Sequence, residues 1–136
     1  MTGEFAIAVH ALVFLNHKNI MLSSDVIAEN VCTNPARIRK VMAMLKKAGF
    51  VETKEGLEGG YYIAKKPEEI SLKHVGEAVD AEYVSSSWKP GNEDMDCLIA
   101  SGMATIMDGI YGELNDLCRD YLEHITVADT EKKIFG

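Results

Sequence analysis

An amphipathic helix is encoded by residues 34–49, NPARIRKVMAMLKKAG. Asn34 can accept hydrogen bonds from the free amides at a helix start, and Pro35 suits the first helical position. Gly49 suits the left-handed conformation that ends a helix. Apolar residues recur at three- and four-residue steps, which predicts one buried stripe made of Ile38, Val41, Met42, Leu45 and Ala48.

Every charged residue of this helix is basic and falls outside the stripe; they are Arg37, Arg39, Lys40, Lys46 and Lys47. A helix that is apolar on one side and cationic elsewhere suits a polyanion. We therefore predict a recognition helix. The first three cations could meet base edges or phosphates, and Lys46, Lys47 and the later Lys54 favour phosphate contacts.

The segments on both sides complete a winged helix-turn-helix. A second helix, capped by Ser23 or Ser24, precedes the polar turn at residues 30–34. Its predicted buried side consists of Val26, Ile27, Ala28 and Val31.

A β-hairpin is predicted after the recognition helix. Residues 50–54 and 61–65 alternate apolar and polar residues, and the Gly-rich segment EGLEGG lies between them. A phosphate-cradling loop is the rival interpretation. We prefer the hairpin because the glycines lack GxGxxG or GKS/T spacing and two glutamates would repel phosphate.

The sequence divides into three parts. Residues 1–80 form the winged helix-turn-helix, with a largely buried first helix at 2–17, capped by Thr2, and a helix at 72–79, capped by Ser71. Residues 81–95 contain serines, glycine, proline and acidic residues, which predicts an exposed loop with Trp88 packed against the body. The fold class is mainly α with a small β-hairpin.

A long helix is predicted from Asp96 to about His124, followed by a frayed tail after Val127, so that residues 96–136 make the third part. Apolar residues recur at alternating three- and four-residue steps, which predicts a seam for another helix. We favour a twofold dimer over folding back on its own domain. The seam is Ile99, Met103, Ile106, Ile110, Leu114, Leu117 and Tyr121, continued by Ile125.

Composition favours a soluble protein of 136 residues, with an apolar share of 47% and a charged share of 26%. No segment approaches the roughly 20 apolar residues of a membrane span. The apolar run from Phe5 to Leu15 has neither a preceding cationic region nor a cleavage site, so we expect no signal peptide. Three dispersed cysteines indicate reduced thiols and a cytoplasmic location.

The net charge of −7 is unevenly distributed. Residues 1–66 have a balance of +3 and residues 67–136 a balance of −10. The overall acidity therefore hides a mildly basic first half, which contains the predicted recognition helix.

Enzymatic motifs are absent from the sequence, which has no GxSxG, HExxH, CxxC or nucleotide-binding loop. The four histidines are spread over three predicted helices, two of them on the first, without a carboxylate or cysteine at ligand spacing: His10, His17, His74 and His124. We predict no catalytic activity and no metal site.

Three motifs together resemble the Rrf2 family of bacterial winged-helix transcription regulators, especially its shorter members: KKAGFV at 46–51, GLEGGY at 56–61 and ISL at 70–72. The resemblance covers about Phe5 to Val79, and the long helix fits the family's dimerisation helix. It implies a homodimer, most often a repressor, with recognition helices in successive major grooves of double-stranded DNA and wings reaching minor grooves.

Carried onto this sequence, the resemblance and the charge pattern give a predicted DNA-binding set: Ser24, Thr33, Asn34, Pro35, Arg37, Arg39, Lys40, Lys46, Lys47, Lys54 and Gly56. The alternative is a winged-helix protein–protein module without DNA affinity, which Glu52, Glu55 and Glu58 would suit.

Two departures from the family pattern bear on the signal and the wing. Cluster-binding members carry three closely spaced cysteines before the long helix, whereas here only Cys97 lies there, so we predict no iron–sulfur cluster and no other cofactor. Cys97 is a candidate redox switch, although we favour a packing role, and a small-molecule or redox effector stays open.

Glu55 occupies the position where some members insert an Arg into the minor groove. Either the wing is withdrawn from DNA or DNA contacts rest more on the helix.

Overall fold

The computed structural model describes residues 3–57 and 59–136, and this part of the chain folds into six α-helices and one β-hairpin. The predicted fold class, mainly α with a small hairpin, is confirmed. The elements in chain order are α1 (Glu4–Lys18), α2 (Ser24–Val31), α3 (Pro35–Lys47), β1 (Val51–Lys54), β2 (Gly60–Ile63), a 3-10 helix (Pro67–Glu69), α4 (Leu72–Ala78), α5 (Leu98–Glu123) and α6 (Val127–Phe135).

The ends of α3 follow from local chemistry, as predicted. The Oδ1 atom of Asn34 accepts a hydrogen bond from the backbone N–H of Arg37 at 2.8 Å, and Pro35 is the first helical residue. Gly49 takes a left-handed φ of 85° directly after the last turn. These two signals fix where the helix begins and ends within a residue.

The caps of α2 and α4 are serines. Ser23, rather than Ser24, caps α2, because its hydroxyl accepts from the backbone N–H of Val26 at 3.2 Å. Ser71 caps α4 in the same way through the N–H of His74 at 3.2 Å. The predicted cap Thr2 lies outside the described residues, and Gly3 occupies the N-cap position of α1.

A single apolar core joins the first four helices and the hairpin. Its fully buried members come from α1 to α4, from β1, from the residue that precedes Ser71 and from α6, namely Leu12, Leu15, Ile27, Ile38, Val41, Met42, Leu45, Val51, Ile70, Val75 and Val127. Two predicted core positions are wrong, because Val26 and Ala48 are exposed. Each residue lies at the edge of the apolar stripe of its own helix, and that stripe is narrower than the spacing of apolar residues in the sequence predicted.

The hairpin pairs Val51 with Ile63 and Lys54 with Gly60 in antiparallel register. Leu22, in the segment before α2, exchanges two backbone hydrogen bonds with Tyr61, of 2.9 and 2.8 Å. This bridge attaches the hairpin to the start of the helix-turn-helix, so the two parts of the predicted DNA-binding surface are positioned together.

The connection from α4 to α5 departs from prediction in two details. Helix α5 begins at Leu98 with Cys97 as N-cap, two residues later than the predicted start at Asp96. Trp88 is 73% exposed, so its predicted packing against the body is wrong. The packing of a side chain in a loop cannot be derived from hydrophobic periodicity, which applies to helices and strands.

The predicted frayed tail is also wrong, because residues 127–135 form α6. Thr126 accepts from the N–H of Asp129 at 3.1 Å, and the Asp129 carboxylate accepts from the N–H of Thr126 at 2.9 Å. This capping box starts the helix, and the fully buried Val127 inserts into the core. Glu131 also binds His17 on α1, at 3.0 Å.

Candidate nucleic-acid interface

The exposed face of α3 lies opposite its buried stripe and carries four cations and two alanines. They are Ala36, Arg39, Lys40, Ala43, Lys46 and Lys47. Sequence analysis missed the alanines, although a helical projection places both on this face. Small side chains between cations allow the helix backbone to approach a groove closely.

Two α3 cations extend toward the first turn of α1. Lys40 Nζ lies 2.9 Å from Glu4 Oε1. Arg37 is half-buried, and its Nη2 lies 3.0 Å from where a Cβ on Gly3 would stand. The predicted role of Arg37 at a base edge therefore competes with a packing role against α1.

Two further cations connect α3 to its neighbours. Arg39 Nη1 lies 3.4 Å from the Ser24 hydroxyl at the start of α2. Lys46 Nζ donates to the Thr53 hydroxyl of β1 at 2.8 Å. Lys47 is exposed. The exposed face of α3 is thus continuous with α2 on one side and with the wing on another.

A groove of about 390 Å³ brings three of the predicted DNA-binding residues together, because Ser24, Lys54 and Gly56 all line it. Thr53 and Glu55 line it as well, so a carboxylate sits among these groups. Of the other predicted residues, Thr33 and Asn34 form the turn before α3, where the Asn34 side chain serves as the helix cap, and Pro35 is the first residue of the helix.

The wing tip combines charge with an apolar side chain that sequence analysis missed. Leu57 is fully exposed, and Glu52 and Glu55 are exposed on the same hairpin. Glu58 lies outside the described residues. A solvent-exposed Leu flanked by a carboxylate is suited to a protein contact or to insertion between base steps, and less to phosphate binding.

The cysteines do not fit an iron–sulfur cluster. Cys32 ends α2, Cys97 precedes α5 and Cys118 lies 21 residues further along α5. Among the described residues, no three His, Cys, Asp or Glu side chains converge as metal ligands. The backbone N–H groups of Ala100, first, and Ile99 lower the pKa of the exposed Cys97 thiol below its ordinary value.

The predicted seam of α5 is uncovered within one protomer. Six of its seven members are 39% to 73% exposed, and Met103 is half-buried. A second apolar surface, a groove of about 620 Å³, runs between α1 and α6 and is lined by Phe5, Val9 and Ile134 among others. Within the described part of the chain, no helix combines the length and hydrophobicity that crossing a bilayer requires.

These elements define a winged helix-turn-helix protein, and comparisons with known proteins give the family. The model of the Rrf2 family, described as iron-dependent transcriptional regulators, matches residues 1–132. The chain belongs to the Rrf2 family of transcriptional regulators, which is not a family of enzymes. The predicted resemblance is confirmed.

Two relatives from Bacillus subtilis carry the name HTH-type transcriptional regulator. YwnA is 33% identical over 84 residues, which is 60% of this chain and 60% of YwnA. YwgB is 31% identical over 75 residues, 54% of this chain and 48% of YwgB. The matched part thus spans about half to three fifths of each relative.

Solved structures show the same fold at low identity. A transcriptional regulator from Lactobacillus plantarum has a TM-score of 0.82 at 22% identity, covering 98% of this chain and 91% of that one. IscR from T. potens has a TM-score of 0.70 at 19% identity, covering 98% and 87%. CymR, the global cysteine regulator of B. subtilis, has a TM-score of 0.69 at 16% identity, covering 98% and 96%.

Proposed function

We propose that this protein is a homodimeric, sequence-specific DNA-binding regulator that acts in the cytoplasm and represses transcription. The observation that carries the proposal is the exposed face of α3, which presents Arg39, Lys40, Lys46 and Lys47 together with two alanines. Cations on the second helix of a helix-turn-helix contact base edges and phosphates when that helix enters a major groove.

Roles within the surface follow from position. Arg39 and Lys40 lie in the first half of α3, the part that approaches base edges in helix-turn-helix complexes. Lys46 and Lys47 lie in its last turn and Lys54 ends β1, so their ammonium groups suit the phosphate backbone. Ser24, at the start of α2, suits a phosphate at the other edge of the groove.

Dimerisation is supported by the exposed seam of α5. Large apolar side chains such as Ile106, Leu117 and Tyr121 cost free energy when they stay in water, and a matching helix of a second copy removes that cost. A twofold dimer that reads two successive major grooves has its α3 helices about 34 Å apart, one turn of B-DNA. The repressor assignment rests on the family resemblance, which implies a repressor most often.

A protein–protein module without DNA affinity is the second candidate. The wing tip favours it, since Leu57 is fully exposed beside Glu55 and the wing carries a further exposed glutamate, Glu52. A protein–protein module does not explain why four cations share the exposed face of α3. The protein–protein module predicts weak DNA binding, no stronger than the nonspecific electrostatic binding of other mildly basic protein surfaces.

The test compares two variants that add one carboxylate each. Ala43→Glu places it in the middle of the exposed face of α3, and Ser87→Glu places it in the exposed loop before α5. Genomic fragments are selected with the purified parent, and affinities for a selected fragment are measured by fluorescence anisotropy. We expect a loss of at least tenfold for Ala43→Glu and little change for Ser87→Glu. Equal affinities of both variants and the parent would favour the protein–protein module.

A further inference from the structure

A carboxylate lies at the edge of the proposed DNA surface. Glu4 Oε1 is 2.9 Å from Lys40 Nζ, and the two ends of this ion pair differ in exposure. The Glu4 side chain is 16% exposed and the Lys40 side chain 67%. The Glu4 side chain therefore has less freedom to move than the Lys40 side chain, and the position of its carboxylate determines where the paired ammonium lies.

The position of Glu4 is set by how α1 meets α3. Glu4 is the first residue of α1, and the preceding Gly3 takes a φ of 80°. Arg37 Nη2 of α3 lies 3.0 Å from where a Cβ on Gly3 would stand. The helix start is thus seated against α3. This contact between the two helices places the Glu4 carboxylate beside Lys40.

We propose that Glu4 determines what Lys40 can bind: it permits an uncharged acceptor on a base edge and disfavours a phosphate. This inference rests on the proposed function, in which α3 enters a major groove. A lysine ammonium has three donors, so one can go to Glu4 while others reach a guanine O6 or N7.

Electrostatics separates the two kinds of acceptor. A phosphate oxygen within hydrogen-bond distance of Lys40 Nζ would lie about 4.5–5.5 Å from the Glu4 carboxylate. Two like charges at that separation repel, and the low exposure of Glu4 limits screening by solvent. A neutral base edge meets much less repulsion. Glu4 therefore acts as a repulsive element that lowers affinity for non-cognate DNA and sharpens specificity.

The test measures anisotropy titrations of the full-length parent and Glu4→Gln against two probes, a random-sequence duplex and a fragment selected from the genome. Glutamine keeps the size of the side chain and removes its charge. We expect Glu4→Gln to bind the random duplex about threefold to tenfold more tightly at low salt. Its slope of log K against log salt should steepen by about 0.9 per protomer, and the ratio of specific to random affinity should fall.

Two controls assign the effect to the pair. Glu69→Gln removes the same charge from the exposed 3-10 helix and should leave the slope unchanged. The Glu4→Gln substitution should have no effect on DNA binding in a Lys40→Gln background. The two single variants and the double variant form a double-mutant cycle, which isolates the coupling between the two residues.

Lysine variants of the otherwise unchanged protein test the proposal without altering Glu4. Lys47→Gln should lower the salt slope by about 0.9 per protomer, whereas Lys40→Gln should hardly lower it and should instead reduce the specific affinity. The inference is overturned if Lys40→Gln and Lys47→Gln lower the slope equally, or if Glu69→Gln mimics Glu4→Gln. A parent without salt-dependent binding would instead overturn the proposed function.

Discussion

Asn115 and Val84 exchange two hydrogen bonds: the Val84 N–H donates to Asn115 Oδ1 at 3.0 Å, and Asn115 Nδ2 donates to the Val84 carbonyl at 2.7 Å. Oδ1 also accepts from the N–H of Tyr83 at 2.7 Å. Asn115 is 5% exposed, and the bonds fasten the segment after α4 to the middle of α5. The contact thus joins α5 to the end of the DNA-binding part, alongside the packing of α5 on α4.

Replacing Asn115 by Ala should therefore destabilise the protein. The substitution leaves backbone groups of Tyr83 and Val84 without their partner in a buried place, which costs about 1–3 kcal/mol of the free energy of unfolding. Chemical denaturation measures the loss, and Thr105→Ala on the exposed side of α5 should change it by less than about 0.5 kcal/mol. Equal stability of Asn115→Ala and the parent would mean that the contact is dispensable.

Helix α6 should loosen when its capping box is removed. Thr126→Ala deletes the acceptor for the N–H of Asp129 and should cost about 1 kcal/mol of helix stability. Hydrogen exchange of the α6 amides should accelerate by roughly fivefold, because 1 kcal/mol corresponds to that factor if local opening governs the exchange. Unchanged exchange would show that packing on α1 alone holds α6.

Acid should weaken the same capping box. The backbone and side chain of Thr126 lower the pKa of Asp129 below its ordinary value, so the contribution is complete above about pH 4. It is lost as the pH falls through the lowered pKa, because the unfolded state binds the proton more tightly there. An Asp129→Asn variant should show a smaller loss of α6 protection over this acid range than the parent. A parallel loss in both proteins would exclude Asp129 as the cause.

The apolar seam of α5 should be the dimer interface. Ile106→Glu places a carboxylate in the seam and should convert dimer to monomer in sedimentation velocity, since burying an unpaired charge costs several kcal/mol. Thr105→Glu adds the same charge next to the seam and should leave the dimer intact. A parent that sediments as a monomer would exclude the proposed arrangement.

The Cys97 thiol should be more reactive than the Cys118 thiol. Its lowered pKa raises the thiolate fraction at neutral pH, and its exposure admits reagents. Iodoacetamide followed by peptide mass spectrometry should label Cys97 faster than the half-buried Cys118. Faster labelling of Cys118 would remove the basis for Cys97 as a redox switch.

Elements with local signals were predictable from sequence. The cap residue Asn34, the first-turn Pro35 and the terminating Gly49 determined α3, and Ser71 determined α4, because caps act within a few residues along the chain. The charge pattern of α3 located the candidate surface for the same reason. Alternation around a Gly-rich turn predicted the wing, and apolar periodicity predicted the long helix, for the same reason.

Features that depend on distant partners were missed. Helix α6 is too short to be stable alone, so it depends on tertiary contacts. Its Glu131 hydrogen-bonds His17 of α1, and its Val127 is buried in the core. The Thr126–Asp129 capping box was visible in the sequence and could have indicated it. The pairing of Glu4 with Lys40 joins residues 36 positions apart, so no spacing rule could have revealed it.

The salt dependence of DNA binding tests the central claim most directly. Anisotropy titrations of the parent with a selected genomic fragment, over a series of salt concentrations, give the slope of log K against log salt. The account predicts a steep negative slope of about −0.9 for each phosphate neutralised by the cations of two α3 helices, with tighter binding to the selected fragment than to random DNA. A slope near zero, or equal affinity for both duplexes, would contradict it.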